Sequence, residues 1–93
     1  MTVPATLDSV PRVGPGFRLQ WEPVQNAHVL LYPEGMVKLN GSAGEILRRC
    51  DGVRTLREIV TDLETTFNQS GLGPDVHDFV AYARAQGWLE VKE

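Results

Sequence analysis

The chain has 93 residues, enough for one domain and too few for two. Hydrophobic residues make up 42% and charged residues 23%, a globular composition rather than a disordered one. Nine Lys and Arg against twelve Asp and Glu leave a formal charge of −3, which argues against nucleic acid or an acidic membrane as partner, and one Cys excludes an intrachain disulfide and a Cys-rich metal site. The two His, His28 and His77, lie far apart in sequence. This composition points away from an enzyme and toward a small binding module.

The N-terminal run MTVPATLDSVPRVGPGF has neither the basic start nor the apolar stretch of a signal peptide. No segment approaches the ~18 apolar residues of a membrane span, so the cytoplasm is expected. Pro4, Pro11 and Pro15, with Gly14 and Gly16, resist helix and sheet. They predict a flexible arm over residues 1–16, ahead of a single domain over 17–93.

From Phe17 to Glu22 the pattern alternates, with Phe17, Leu19 and Trp21 on one face. Pro23 ends this strand and Gln25-Asn26 turns the chain. A second strand is predicted over Ala27–Tyr32 and a third over Met36–Leu39. Between them, Pro33-Glu34-Gly35 suits a type I turn closed by a glycine bulge. Short connections imply a three-stranded antiparallel meander.

The period then becomes helical. Ala43, Ile46, Leu47 and Cys50 share one face, with Ser42 and Glu45 as a capping box and Asp51-Gly52 as the stop. Thr55 and Glu58 form a second capping box before Leu56, Ile59, Val60, Leu63 and Phe67. After a loop, Pro74 opens a third helix whose apolar face is Val76, Phe79, Val80 and Ala83. Gly87 ends it, and Trp88–Val91 reads as a short closing strand. The fold class is α+β: a winged-helix-like arrangement of a meander, three helices and a C-terminal strand.

No catalytic constellation emerges. Cys50 occupies an apolar helix position beside Asp51, a setting for a buried, inert thiol. His28 and His77 lack the neighbours of a metal site, and no phosphate-binding loop is present. The second and third helices have a helix-turn-helix outline, which raises DNA binding as an alternative. The would-be recognition helix over residues 74–86 carries Asp75, Asp78 and Arg84, a net charge of −1. The helix before it has Arg57 against Glu58, Asp62 and Glu64, a net charge of −2. Phosphate contacts need cations that this pair lacks. The third strand, last in the meander, offers an edge instead. It could take an extended peptide or a second copy of the chain, or be protected by Lys38.

The run LLYPEGMVKLNGSAGEILRRCDGVRTLREIV, followed by DVHDFVAYARAQGWL, closely resembles the PqqD family. These are small peptide chaperones of pyrroloquinoline quinone (PQQ) biosynthesis. The resemblance spans about Pro11 to Val91, and the residues before Pro11 have no counterpart in it. It implies a non-catalytic recognition element for ribosomally made, post-translationally modified peptides (RiPPs). The implied partners are the precursor peptide PqqA and the radical S-adenosylmethionine enzyme PqqE, to which the loaded adaptor presents PqqA. The iron–sulfur clusters belong to that enzyme, and no cofactor is implied for this chain. The resemblance also implies that the leader peptide adds beside the third strand, at Met36, Val37, Lys38 and Leu39. The facing wall is then Val76, Phe79, Val80 and Ala83. A relative that serves another modified peptide fits the same motifs.

Overall fold

A computed structural model describes residues 5–92. Eight elements follow in chain order: β1 (Val10–Val13), β2 (Arg18–Glu22), β3 (Ala27–Tyr32), β4 (Gly35–Lys38), α1 (Gly41–Leu47), α2 (Leu56–Thr66), α3 (Gly73–Ala85) and β5 (Leu89–Lys92). The expected meander is present as the antiparallel sheet β2-β3-β4, and the three helices follow. The predicted third strand is therefore β4.

One element departs from expectation. The arm predicted over 1–16 contains β1, which pairs antiparallel with β5 from Val10↔Lys92 to Val13↔Leu89. Residues 1–4 of that arm lie outside the described residues. Pro11 does not break β1, for a geometric reason. The Gly14 N–H donates to the Trp88 carbonyl at 2.8 Å. Narrow pairs alternate from there, so Pro11↔Val91 is a wide pair in which neither nitrogen points across the ladder. The missing N–H of proline therefore costs no strand bond. On its outer side, the Pro11 carbonyl accepts from the Gly52 N–H at 3.0 Å.

The segment before β1 is also tied down. The carbonyls of Ser9 and Leu7 accept from the Leu56 and Arg57 N–H groups at 2.8 and 2.9 Å. These are first-turn donors of α2 that have no partner within the helix. An imidazole nitrogen of His77 lies 2.9 Å from the Ala5 carbonyl, which fastens the segment to α3.

The β3–β4 reversal uses only Pro33 and Glu34, because Tyr32 pairs directly with Gly35. Pro33 cannot adopt positive φ, so the unusual dihedral falls on Gly35, at +155°. The α1 start also differs from the predicted capping box. Asn40 is the cap, its Oδ1 accepting from the Ala43 N–H at 2.8 Å. Ser42 is already inside the helix, and its hydroxyl donates to Asn40 Oδ1 at 3.1 Å. α1 ends at Leu47, before the predicted Asp51-Gly52 stop. The Asp51 carboxylate instead accepts the Val53 and Arg54 N–H groups, shaping the turn into α2. The Thr55–Glu58 capping box forms as predicted.

The core lies between one face of the meander and the three helices. Leu30 and Leu39 from the sheet region meet Ala43, Ile46 and Leu47 of α1, Leu56, Ile59 and Leu63 of α2, Val76, Val80 and Ala83 of α3, and Leu89 of β5. Sheet alternation brings this about, since Leu19, Leu30 and Val37 stand side by side across three strands. α1 can approach β3 because Gly44 has no side chain. A Cβ there would meet His28 Nδ1 at 2.8 Å.

Candidate peptide-binding edge and groove

β4 is a terminal strand of its sheet, so one of its edges has no strand partner among the described residues. The ladder decides which groups that edge presents. The Leu39 N–H donates to the His28 carbonyl at 3.0 Å, which makes His28 and Leu39 a narrow pair. By alternation, Leu30↔Val37 and Tyr32↔Gly35 are also narrow. The amides of Gly35, Val37 and Leu39 therefore point at β3. Those of Met36 and Lys38 point away, and they form the donor and acceptor row of the open edge.

The side chains divide in the same way. Val37 is half-buried against the core and Leu39 is 5% exposed within it. Met36 is 51% exposed and Lys38 is exposed, both on the face away from the helices. Of the four residues expected at the edge, Met36 and Lys38 offer free backbone, while Val37 and Leu39 anchor the strand.

β4 leads through Leu39 into Asn40, and at Asn40 a groove of about 700 Å³ opens. Its apolar lining includes Ile46 of α1, Leu63 and Phe67 near the end of α2, and Val76 and Phe79 of α3. Of the expected α3 wall, Phe79 is half-buried and lines the groove, and Val76 lines it while only 3% exposed. Val80 and Ala83 do not belong to this wall. They are 1% and 0% exposed, turned into the core, and have no surface for a ligand. Helical spacing groups all four residues on one apolar stripe. Only the packing of α2 and β5 decides which part of the stripe stays open. Phe67, 45% exposed beyond the last turn of α2, also lines the groove, although its spacing places it on the same apolar run as Leu56, Ile59 and Leu63. Its place at the end of that run, just before a polar loop, is the sequence signal for its exposure.

Glu45, on the groove lining, is tied to α2 through Arg49, whose side chain is 5% exposed. The Arg49 Nε donates to Asp62 of α2 at 2.5 Å, and its Nη1 donates to the Glu45 carboxylate and carbonyl of α1, both at 2.8 Å. This guanidinium locks α1 to α2. Its hydrogen bonds hold the Glu45 and Asp62 carboxyls below their ordinary values. Depressed carboxylates contribute stability above their unfolded pKa and lose it as pH falls through the folded value. The thermal midpoint should therefore be flat from pH 7 to 5 and fall below about pH 4. Arg49→Leu should flatten part of that fall in calorimetric scans. The remainder belongs to Asp51 and Glu58, which backbone N–H groups also hold low.

Other candidates lie elsewhere or are inert. Burial pushes the Cys50 thiol up to about 12, so it carries no thiolate near neutrality. Among the described residues no three His, Cys, Asp or Glu side chains are grouped to hold a metal, and no helix is long and apolar enough to cross a membrane. α3 presents Asp75 and Asp78 on its exposed side, which is the wrong sign for a DNA groove.

The chain is similar to known proteins in sequence and in fold. A PqqA binding protein of Pseudomonas aeruginosa is 52% identical over 93 residues, covering 99% of this chain and all of that one. Another, from Azotobacter vinelandii, is 52% identical over 87 residues, covering 92% and 95%. The solution NMR structure of the PqqD truncation of Methylobacterium extorquens PqqCD is described as a functional, stand-alone RiPP recognition element. It aligns with a TM-score of 0.73 at 32% identity, over 87% of this chain and 88% of that one. The sequence profile of Coenzyme PQQ synthesis protein D (PqqD) matches residues 27–89, from the start of β3 to the start of β5. With the family's profile running from the central strand through all three helices, this chain belongs to the PqqD family.

Proposed function

We infer that this protein binds the precursor peptide PqqA as a RiPP recognition element of PQQ synthesis, acting by binding rather than by catalysis. The observation that carries the reading is the β4 edge, with its Met36 and Lys38 amides directed outward, running at Asn40 into the apolar groove. A leader segment adds to this edge as a further antiparallel or parallel strand. Its backbone bonds give affinity, and side chains seated against Val76 and Phe79 give selectivity.

The finer steps belong to the same proposal. The loaded protein presents PqqA to the radical S-adenosylmethionine enzyme PqqE in the cytoplasm, where a ribosomal peptide is made. Tethering the leader raises the local concentration of the modifiable segment at that enzyme. A second copy could occupy the β4 edge only in competition with the peptide.

Titration calorimetry with synthetic PqqA, and a scrambled peptide as control, tests the reading. Saturable one-to-one binding of PqqA alone is expected. Phe79→Ala should weaken it about tenfold, the scale of one well-placed aromatic contact, with a loss of stability of about 1 kcal/mol because the half-buried ring also packs against the core. Equal heats from both peptides, or none from either with PqqE also present, would reject it.

A further inference from the structure

The meander has a second edge without a strand partner among the described residues, on β2, that the peptide reading does not use. Its bonding parity follows from β3. Because His28, Leu30 and Tyr32 bond toward β4, Ala27, Val29 and Leu31 bond toward Glu22, Gln20 and Arg18. The outward amides of β2 are thus those of Leu19 and Trp21. Its sequence is Arg-Leu-Gln-Trp-Glu, centred on Gln20. Arg18 and Glu22 lie on the same face, about 14 Å apart at ordinary strand rise, too far to pair within the strand. Among the described residues neither makes an ion pair. Arg18 donates only to the Gln20 amide oxygen at 3.2 Å, and Glu22 accepts only from the Val24 N–H at 3.3 Å. Trp21, an aromatic on the opposite face, is 48% exposed.

We propose that the β2 edge pairs antiparallel with β2 of a second copy of this chain, about a two-fold axis through Gln20. In this register Leu19 faces the partner's Trp21, and both are outward-bonding residues. The two symmetric pairs then form four backbone hydrogen bonds. Gln20 faces its own counterpart, and Arg18 faces the partner's Glu22 on both sides of the axis. The strand is self-complementary in bonding parity, in charge and in apolar contact at one register, which an isologous interface requires. A one-residue slip sets the inward-bonding amides against the edge and separates the opposite charges. The β4 edge lacks this property, because Lys38 is its only charge and self-pairing supplies no counter-charge. Pairing through β2 yields a six-stranded sheet with both β4 edges outermost, so a dimer has two free peptide edges.

The contact is small, so association is weak and visible only toward about 1 mM protein. Sedimentation equilibrium from about 10 µM to 1 mM should show the mass rising toward twice that of the monomer, with Leu19 and Trp21 amides exchanging more slowly at high concentration. Arg18→Glu and Glu22→Arg should each raise the dimer dissociation constant about tenfold, since each puts like charges opposite at two places. Mixing the two variants should restore association, because both cross-strand pairs become attractive again. Amide spectra of each variant check that the fold is kept. A constant monomer mass at 1 mM overturns the proposal. So does self-association that neither single variant weakens, or single variants whose mixture remains monomeric.

Discussion

Lys38→Pro is expected to leave the fold intact and weaken PqqA binding ten- to a hundredfold, while Val37→Pro, one residue earlier, is expected to disrupt the sheet. The two positions differ only in ladder parity. The Val37 amide points at Leu30 across a narrow pair, whereas the Lys38 amide points to the open edge. Proline removes the N–H in both cases. At Val37 the loss opens a bond between the terminal and central strands, beneath a side chain packed on the core. At Lys38 the loss falls on the ligand. A hydrogen bond contributes about 0.5–1.5 kcal/mol net, and the ring also obstructs the incoming backbone, so the combined effect exceeds tenfold. Calorimetry with PqqA measures the first result, and amide spectra of the free variants measure the second. Unchanged affinity in a folded Lys38→Pro variant would show that the peptide does not add as a strand at β4.

Leu30→Ala is expected to cost about 3 kcal/mol of stability, and Val29→Ala, next to it, less than half of that. Both side chains are buried, at 0% and 1% exposure. They face opposite sides of the central strand. Leu30 is where the sheet meets all three helices, and its removal leaves a cavity among residues that cannot collapse into it. Val29 lies outside that cluster, flanked by Gln20 and Lys38, whose flexible side chains can settle over the gap. For a domain of this size the Leu30 loss corresponds to a fall of about 10–20 °C in Tm. Thermal unfolding by circular dichroism provides the comparison. Equal losses at the two positions would mean that the outer face of the sheet is as tightly packed as the inner one.

Much of this molecule can be read along the chain because the deciding forces are local. Alternation at Leu19 and Trp21, helical spacing at Leu56, Ile59 and Leu63, and the Thr55–Glu58 cap act within one or two turns of the residues concerned. They identify the meander, all three helices and the closing strand. The motif order from Leu30 to Leu89 carries the family. β1 was not legible in this way. Three prolines near the N-terminus argue against a strand, and only the register with β5 shows that Pro11 occupies the one kind of ladder site where no N–H is needed. The start of α1 differs from the capping-box expectation for a related reason. Asn40 and Ser42 are both good caps by type, and the exit of the chain from β4 determines which one stands outside the first turn.

The same division holds at the candidate site. Read along the chain alone, an edge strand at Met36–Leu39 precedes an apolar third helix. Which of those residues are accessible depends on the packing of the elements against one another. Ladder parity turns Met36 and Lys38 outward and Val37 and Leu39 inward. The packing of α3 on α2 and β5 closes Val80 and Ala83 into the core and leaves Val76 and Phe79 on the groove, with Phe67 joining them from α2. Periodicity states that side chains share a face. Which part of that face is covered depends on neighbours distant in sequence, and so does the formation of a binding surface.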